Sequence, residues 1–300
     1  MAARGAQRDF IRRGRMQTRC VSRRGEWGKA VWSGTALAFT INRMPPLKPL
    51  SKEDAIALAR GPYAATVEGA VAGSIAPFLW RERDEEGHLK LRNGTVFFIS
   101  ADRTFMVTAD HVFAAYLNAR NEFGQFSRCQ LGNLRFDPED RLIVRSATLD
   151  IATFSITPEE IRKTGDGKFA MSFHTMNPQI GKGVFFAGFP GLARLRLSER
   201  EIESGIFTAL TVADNVNARE ISGHFDREYQ VDKPGRPTAQ EGYDIGGVSG
   251  GPLVTMVDSA NLSYWRLGGV MTEFSTSLEI FYATRADFIL TDGTLKSANI

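Results

Sequence analysis

The sequence predicts an all-β fold, a sandwich or a barrel, from the spacing and composition of its apolar runs. Short runs rich in β-branched and aromatic residues recur from about residue 95 to residue 283, separated by Gly, Pro, Asn and Asp. Helical periodicity is weak over the same region, and strands do not alternate with helices as they do in parallel sheets. The 300 residues suffice for one large domain or two small ones.

Helices are predicted only near the ends of the chain and as isolated turns. Ser51 is a suitable N-cap for a short helix over residues 51–60, and Gly61-Pro62 is expected to end it. A second short helix is expected at the C-terminus. Single helical turns are predicted over 112–117 and 158–163.

The strands are predicted between turn signals. Asn93-Gly94 predicts a turn before the first clear strand, and Asp102-Arg103 predicts a tight hairpin after it. The predicted strands are 95–100, 104–108, 141–145, 151–156, 184–187, 206–212, 253–257, 267–271 and 280–283.

The basic character of the chain belongs to its first residues. Residues 1–43 carry ten Lys and Arg against two acidic residues, a net charge of +8, whereas the whole chain carries +3. A basic arm can bind nucleic acid or an anionic membrane, but no basic and aromatic stripe follows elsewhere. We therefore interpret residues 1–45 as a disordered extension, or as residues upstream of a working start at Met44, and predict no nucleic-acid partner.

The two cysteines, Cys20 and Cys129, bear on the cellular compartment. Because Cys20 lies in the basic arm, the rest of the chain has one thiol and no internal disulfide, which is typical of a reducing compartment. We therefore expect a cytoplasmic protein. The alternative is an exported, periplasmic protein, since residues 30–41 form an apolar run after a basic stretch. No run of about 18 apolar residues occurs, so no integral membrane segment is expected.

Residues 246–252, with the sequence GGVSGGP, are the sharpest chemical signal in the chain. A nucleophilic serine needs an approachable hydroxyl and backbone N–H groups aimed at one point, and flanking glycines permit both. The N–H groups of Gly247 and Ser249 could form an oxyanion hole. The run also fits the G-x-S-x-G elbow of α/β-hydrolases, but there the catalytic histidine follows the serine, and all four histidines here precede Ser249. An incidental serine in a Gly-rich turn is the other interpretation.

His111 and Asp150 each lie at the edge of an apolar run. His111 follows the predicted strand 104–108, where its ring could be held rigidly with one edge facing a cleft. Asp150 lies between two apolar residues, where a lone carboxylate would be costly to bury. A histidine partner would remove that cost, since the carboxylate could accept the imidazole N–H and fix its tautomer. Taken singly, His111 could be an ordinary surface or core residue and Asp150 the cap of a turn.

Together the three motifs resemble those of the trypsin-like, chymotrypsin-fold serine peptidases of bacterial type. The chain order is histidine, aspartate, serine, and the resemblance covers roughly residues 64–290. Residues 108–111 (TADH) are similar to the T-A-A-H motif of that family, 149–152 (LDIA) to its D-[IL]-A motif, and 247–252 (GVSGGP) to its G-D-S-G-G-P motif.

The resemblance implies two antiparallel β-barrels of the chymotrypsin-like type with a catalytic triad in the cleft between them. The first barrel and its preceding helix would span residues 46–165 and supply His111 and Asp150. The second would span 166–300 and supply Ser249 with the oxyanion loop. The implied activity is that of a serine endopeptidase, which hydrolyses a polypeptide substrate through an acyl-enzyme and needs no cofactor.

Two residues depart from the family pattern. Val248 replaces the acid of G-D-S, which in trypsin pairs with a new N-terminus after cleavage, so zymogen activation of the trypsin type is not expected. Asp110 stands where the family usually has alanine, and we predict that its carboxylate faces water.

The resemblance implies a substrate pocket near Tyr243 and Asp244, and near Thr272 and Glu273. Asp244 or Glu273 could favour a basic substrate side chain, whereas Tyr243 could block the pocket. The expected preference is for basic or small residues.

The alternative function is a catalytically silent, protease-like binding module. Such proteins usually lack a triad residue, whereas all three residue types are present here. No metal site is predicted, because neither H-E-x-x-H nor another paired-histidine spacing occurs. The sequence carries no signal for an oligomeric state.

Overall fold

A computed structural model describes residues 57, 60–84, 86–124, 127–197, 202–225, 245–259 and 262–297. Most elements in these ranges are strands, and they form two curled antiparallel sheets. The predicted all-β fold with two antiparallel, barrel-like sheets and few helices is therefore confirmed. None of the helices in these ranges is long and apolar enough to cross a membrane.

The first sheet supplies the elements that carry His111 and Asp150. Its strands run in the order β5–β4–β1–β2–β3–β7–β6, with β8 beside β2 as the one parallel neighbour. Residues 171–172 thus belong to the first sheet, although the sequence boundary at residue 165 assigned them to the second. The strands are β1 (Ile75–Arg83), β2 (Leu89–Ser100), β3 (Thr104–Thr108), β4 (Cys129–Leu131), β5 (Leu134–Phe136), β6 (Leu142–Ser146), β7 (Ile151–Ser155) and β8 (Met171–Ser172).

The second sheet follows in sequence and carries the loop that contains Ser249. Its strand order is β12–β9–β15–β16–β17–β14–β13, and β10 and β11 form a separate two-stranded ribbon. The strands are β9 (Gly183–Gly188), β10 (Arg194–Arg196), β11 (Ile202–Ser204), β12 (Phe207–Val212), β13 (Asn215–Val216), β14 (Glu220–His224), β15 (Pro252–Ser259), β16 (Leu262–Ser275) and β17 (Ile280–Arg285).

Three short α-helices lie entirely within the described ranges and accompany the sheets: α1 (Pro62–Gly73), α2 (Asp110–Phe123) and α3 (Pro158–Thr164). Arg60 is helical and Gly61 is not, so the predicted end of a helix at Gly61-Pro62 is not contradicted; Pro62 begins the next helix, α1, where a missing backbone N–H costs nothing. The predicted helix over 51–60 lies almost entirely outside the described residues. Near the C-terminus, residues 286–288 form a single 3-10 turn.

Gly94 is required by a close approach of α2 and not by a turn. The turn predicted at Asn93-Gly94 is wrong, since β2 runs through both residues and Gly94 pairs with Phe78 of β1. A Cβ at Gly94 would overlap the side chain of Val112 in α2. The missing side chain therefore lets α2 pack directly on β2, and this sets the position of the helix that carries His111.

An apolar cluster shared by both sheets fixes the two sheets against each other. It contains Val107 and Ile151 from the first sheet, and Val254 and Val270 from the second, all essentially without solvent contact. Burial of each such side chain stabilises the fold by roughly 1.5–3 kcal/mol relative to exposure. The cleft between the sheets therefore has rigid walls.

Lys168 is expected to make the stability of the protein rise with pH above about pH 8. Its ammonium group donates to the carbonyl oxygens of Ala72 and Ile75, at the junction of α1 and β1. Burial lowers the pKa of Lys168 from 10.5 to about 8. Between these values the unfolded chain binds more protons than the native protein, so raising the pH favours the native state, by about 3 kcal/mol at most.

Urea denaturation of wild type and Lys168→Met at several pH values between 8 and 10 tests this expectation. The difference between the two proteins isolates Lys168, because Cys129 and Tyr116, whose pKa values are raised by burial, contribute to both. The exposed residue Lys163 offers a matched control as Lys163→Met. An unfolding free energy that depends equally on pH in wild type and Lys168→Met would contradict the expectation.

Candidate active site

His111 and Asp150 form a two-point contact at the beginning of α2. The backbone N–H of His111 donates to Asp150 Oδ1 at 2.8 Å, and His111 Nδ1 lies 2.7 Å from Asp150 Oδ2. N–H groups in the first turn of a helix have no partner within the helix. Asp150 therefore caps α2 and orients the imidazole ring at the same time.

The turn between β6 and β7 presents Asp150 to α2. Asp150 has a φ of 52°, in the left-handed region that few residues other than glycine adopt and that Asp tolerates better than most. The preceding residue, Leu149, is buried, and its carbonyl oxygen accepts a hydrogen bond of 2.7 Å from Thr284 Oγ1 on β17. The second sheet thus helps to hold the aspartate turn of the first.

Ser249 lies in a tight loop before β15, and the backbone of this loop requires glycine on both sides of the serine. Gly247 and Gly250 on either side have φ values of 105° and 86°. A Cβ on Gly250 would overlap the carbonyl oxygen of Thr95 and the hydroxyl of Thr108. Between them, Val248 is buried in the apolar core of the second sheet.

The structure brings His111 and Ser249 to one cavity of about 210 Å³ between the sheets. The Ser249 hydroxyl donates to the carbonyl oxygen of Thr272 at 3.1 Å, and in the described part of the chain no hydrogen bond joins Ser249 to His111. The histidine side chain is half exposed, at 51%, so its free edge is open to the cavity and to solvent.

Two backbone amides of the loop that contains Ser249 have no hydrogen-bond partner among the described residues. They are the N–H groups of Gly247 and Ser249, whereas Val248 N–H donates to Ile245 and Gly250 N–H donates to Met271. A developing oxyanion is stabilised by such unpaired, preorganised donors.

Asp110 does not face water, so that prediction is wrong. Its carboxylate is only 4% exposed and accepts two hydrogen bonds from Arg145 on β6, at 2.6 and 2.8 Å. These bonds raise the pKa of the Arg145 guanidinium, which also lies over the ring of Phe113. The Asp110–Arg145 ion pair links the first residue of α2 to β6, the strand that leads into the turn containing Asp150. Arg145 had no signal in the sequence, because its partner is 35 residues away.

Half of the predicted substrate pocket lies within the described residues. Thr272 and Glu273 line the cavity, together with Ile245, Met271 and Phe274. Glu273 is exposed and is the one acidic residue among these lining residues. Tyr243 and Asp244 lie outside the described residues.

One group of side chains in the described ranges lies close enough together to share a metal ion. It consists of Asp84, Glu86 and His88, at the exposed tip of the β1–β2 hairpin and outside the cavity lining. Exposed acidic groups of this kind are common without an ion, so we assign no metal or cofactor to them.

No protein-family model and no curated protein sequence matches the chain. Among solved structures, one match is "Structure of Glu endopeptidase in complex with MPD", with a TM-score of 0.40 and 12% sequence identity. It covers 71% of this chain and 85% of the other. At these values the match carries no inference about function, which has to come from the site itself.

Proposed function

We propose that this protein is a serine endopeptidase with His111, Asp150 and Ser249 as its catalytic triad. The observation that carries the proposal is the two-point contact of Asp150 with His111, whose ring lines the same cavity as Ser249. The N–H groups of Gly247 and Ser249, which have no partner among the described residues, support it. A carboxylate bound to Nδ1 keeps the proton on that nitrogen and leaves Nε2 free to accept another.

In the proposed reaction, Ser249 Oγ attacks the carbonyl carbon of the scissile peptide while its proton passes to His111 Nε2. This requires the Ser249 hydroxyl to rotate away from the Thr272 carbonyl and toward His111. Catalytic hydrogen bonds between a nucleophile and its base often form fully only when substrate is bound. The N–H groups of Gly247 and Ser249 stabilise the oxyanion. His111 then protonates the leaving amine, and water releases the acyl group by the same route.

The proposed substrate is a polypeptide with a basic or small residue at the cleavage site. Glu273 offers a carboxylate that can pair with a basic side chain, and Phe274 lines the same cavity. A peptide-library profile dominated by large hydrophobic residues would contradict this preference. The cytoplasmic location stays a prediction from the cysteine pattern.

Labelling with a fluorophosphonate, followed by intact-mass analysis and peptide mapping, tests the proposed nucleophile. We expect one adduct on Ser249, none on Ser249→Ala, and an unchanged adduct on Ser275→Ala, a matched control outside the cavity. If folded wild-type protein forms no adduct, the proposal fails and the silent binding module becomes the better interpretation.

A further inference from the structure

Thr95 on β2 is fully buried, and its polar groups bond to residues around the candidate site. Its backbone N–H donates to the carbonyl of Ser249 at 2.9 Å, and its Oγ1 donates to the carbonyl of Gly247 at 2.7 Å. The same Oγ1 accepts from the N–H of Phe189 at 2.9 Å, and the Thr95 carbonyl accepts from Thr108 Oγ1 at 2.7 Å. One residue of the first sheet thus bonds to the serine loop, to the end of β9 and to the strand before His111.

The end of β3 explains why these groups of Thr95 are available. The N–H of Phe98 donates to Ser74, so hydrogen-bonded positions of β2 against β1 alternate from Phe98, and the backbone groups of Thr95 face away from β1. On that side β3 ends at Thr108, so no strand residue lies opposite Thr95. Thr95 therefore uses its N–H and carbonyl for the loop and for Thr108.

The two bonds to the loop lie on either side of the Ser249 N–H. The Gly247 carbonyl belongs to the peptide before Val248, and the Ser249 carbonyl belongs to the peptide after Ser249. The peptide between them carries the Ser249 N–H, and its other flank is fixed by the buried Val248 side chain. Holding both neighbouring peptides restricts the direction in which the middle one can point.

Asn93 reinforces this contact from the same face of β2, two residues away. Its side-chain amide donates to the carbonyl of Phe189, whose N–H is bound by Thr95. A Cβ on Gly247 would overlap the Asn93 amide, so the loop lies directly against this strand. Among the described residues, the serine loop is therefore held by neutral hydrogen bonds and a buried valine, with no ion pair.

We propose that Thr95 is a positioning residue that keeps the amides of Gly247 and Ser249 in the geometry that stabilises the oxyanion. This inference rests on the proposed peptidase function. It implies that the oxyanion loop is formed in the folded chain, because the groups that hold it come from β2. Misplaced amides weaken binding of the transition state more than binding of the substrate, so the effect falls on kcat.

Three variants test the inference by steady-state kinetics on a peptide substrate. Thr95→Val keeps the size of the side chain and removes both Oγ1 bonds; we expect kcat to fall about 10- to 100-fold with KM within about twofold. Thr95→Ser keeps the hydroxyl and should recover kcat to within about threefold of wild type. Thr153→Val is the matched control, since Thr153 is equally buried and bonds to Gly293, and its kcat should stay unchanged.

A second readout separates this inference from the proposed function. A peptide boronic acid, which mimics the tetrahedral intermediate, should bind Thr95→Val more weakly in proportion to the loss of kcat. The ¹⁵N amide resonances of Gly247 and Ser249 should shift in Thr95→Val and not in Thr95→Ser or Thr153→Val, whether or not the protein hydrolyses peptides. Unchanged resonances, or equal kinetic losses in Thr95→Val and Thr153→Val, would overturn the inference. Absence of fluorophosphonate labelling in wild type would instead overturn the peptidase function.

Discussion

Asp150→Asn is expected to lower kcat by about 10⁴-fold while the protein stays folded. Both carboxylate oxygens of Asp150 accept hydrogen bonds from His111, one from the backbone N–H and one from the ring. An asparagine has one oxygen, so its NH₂ group must face one of these two positions. If it faces the ring, it forces the proton onto Nε2, and His111 can no longer accept the proton of Ser249.

The other orientation of the substituted amide places its NH₂ group against the backbone N–H at the start of α2. That arrangement removes the cap and costs about 1 kcal/mol or more, so the orientation that inactivates the ring is the favoured one. Steady-state kinetics with a circular-dichroism melting curve measures both effects.

Asp214→Asn is the matched control for this prediction. Asp214 likewise accepts from the backbone N–H and from the ring Nδ1 of its own histidine, His224, but this pair is exposed and does not line the cavity. We expect kcat of Asp214→Asn to equal that of wild type. A kcat of Asp150→Asn within tenfold of wild type would show that Asp150 has no role in proton transfer.

Arg145→Met is expected to destabilise the protein by about 2–4 kcal/mol in urea denaturation. The substitution leaves the Asp110 carboxylate buried without its partner, because that carboxylate is 4% exposed and each of its oxygens accepts a hydrogen bond from Arg145. The lower end of this range of destabilisation applies because the Arg145 guanidinium is 35% exposed, and water screens part of its attraction to Asp110.

A double-mutant cycle separates the loss of the ion pair from the loss of packing by the Arg145 side chain. Asp110→Ala in the Arg145→Met background removes the unpaired charge and should recover part of the lost stability. Arg162→Met, which breaks an exposed pair with Glu159, is the control and should change stability by less than about 1 kcal/mol. A double variant less stable than Arg145→Met would contradict the assigned cause.

Much of the secondary structure could be predicted from local sequence signals. The strand predicted over 104–108 matches β3, and that over 151–156 differs from β7 by one residue. Both are apolar runs bounded by turn residues, so the information lies within the element. The short strands β4, β5, β8, β10, β11 and β13 were missed, because two or three residues carry no periodicity. The longer strands β1 and β14 were missed as well.

The wrong predictions at Gly94 and Asp110 share one cause: each residue contacts a residue that is distant in sequence, and this contact explains why that residue type is present. Gly94 suggested a turn, but its missing side chain makes room for Val112. Asp110, next to the histidine, suggested an exposed charge, but Arg145 comes from another strand and buries it. A local sequence pattern identifies an unusual residue type at a position. It does not identify the distant residue that this position contacts.

The sequence by itself determined the strand-rich fold and singled out His111, Asp150 and Ser249, because apolar flanks and glycines mark such residues locally. Only the tertiary structure decided which residues hold the loop that contains Ser249 and the turn that contains Asp150. Thr95 reaches Gly247 across 152 positions, and Thr284 reaches Leu149 across 135. Contacts between residues so far apart follow from how the two sheets pack, since only the folded backbone brings those strands together.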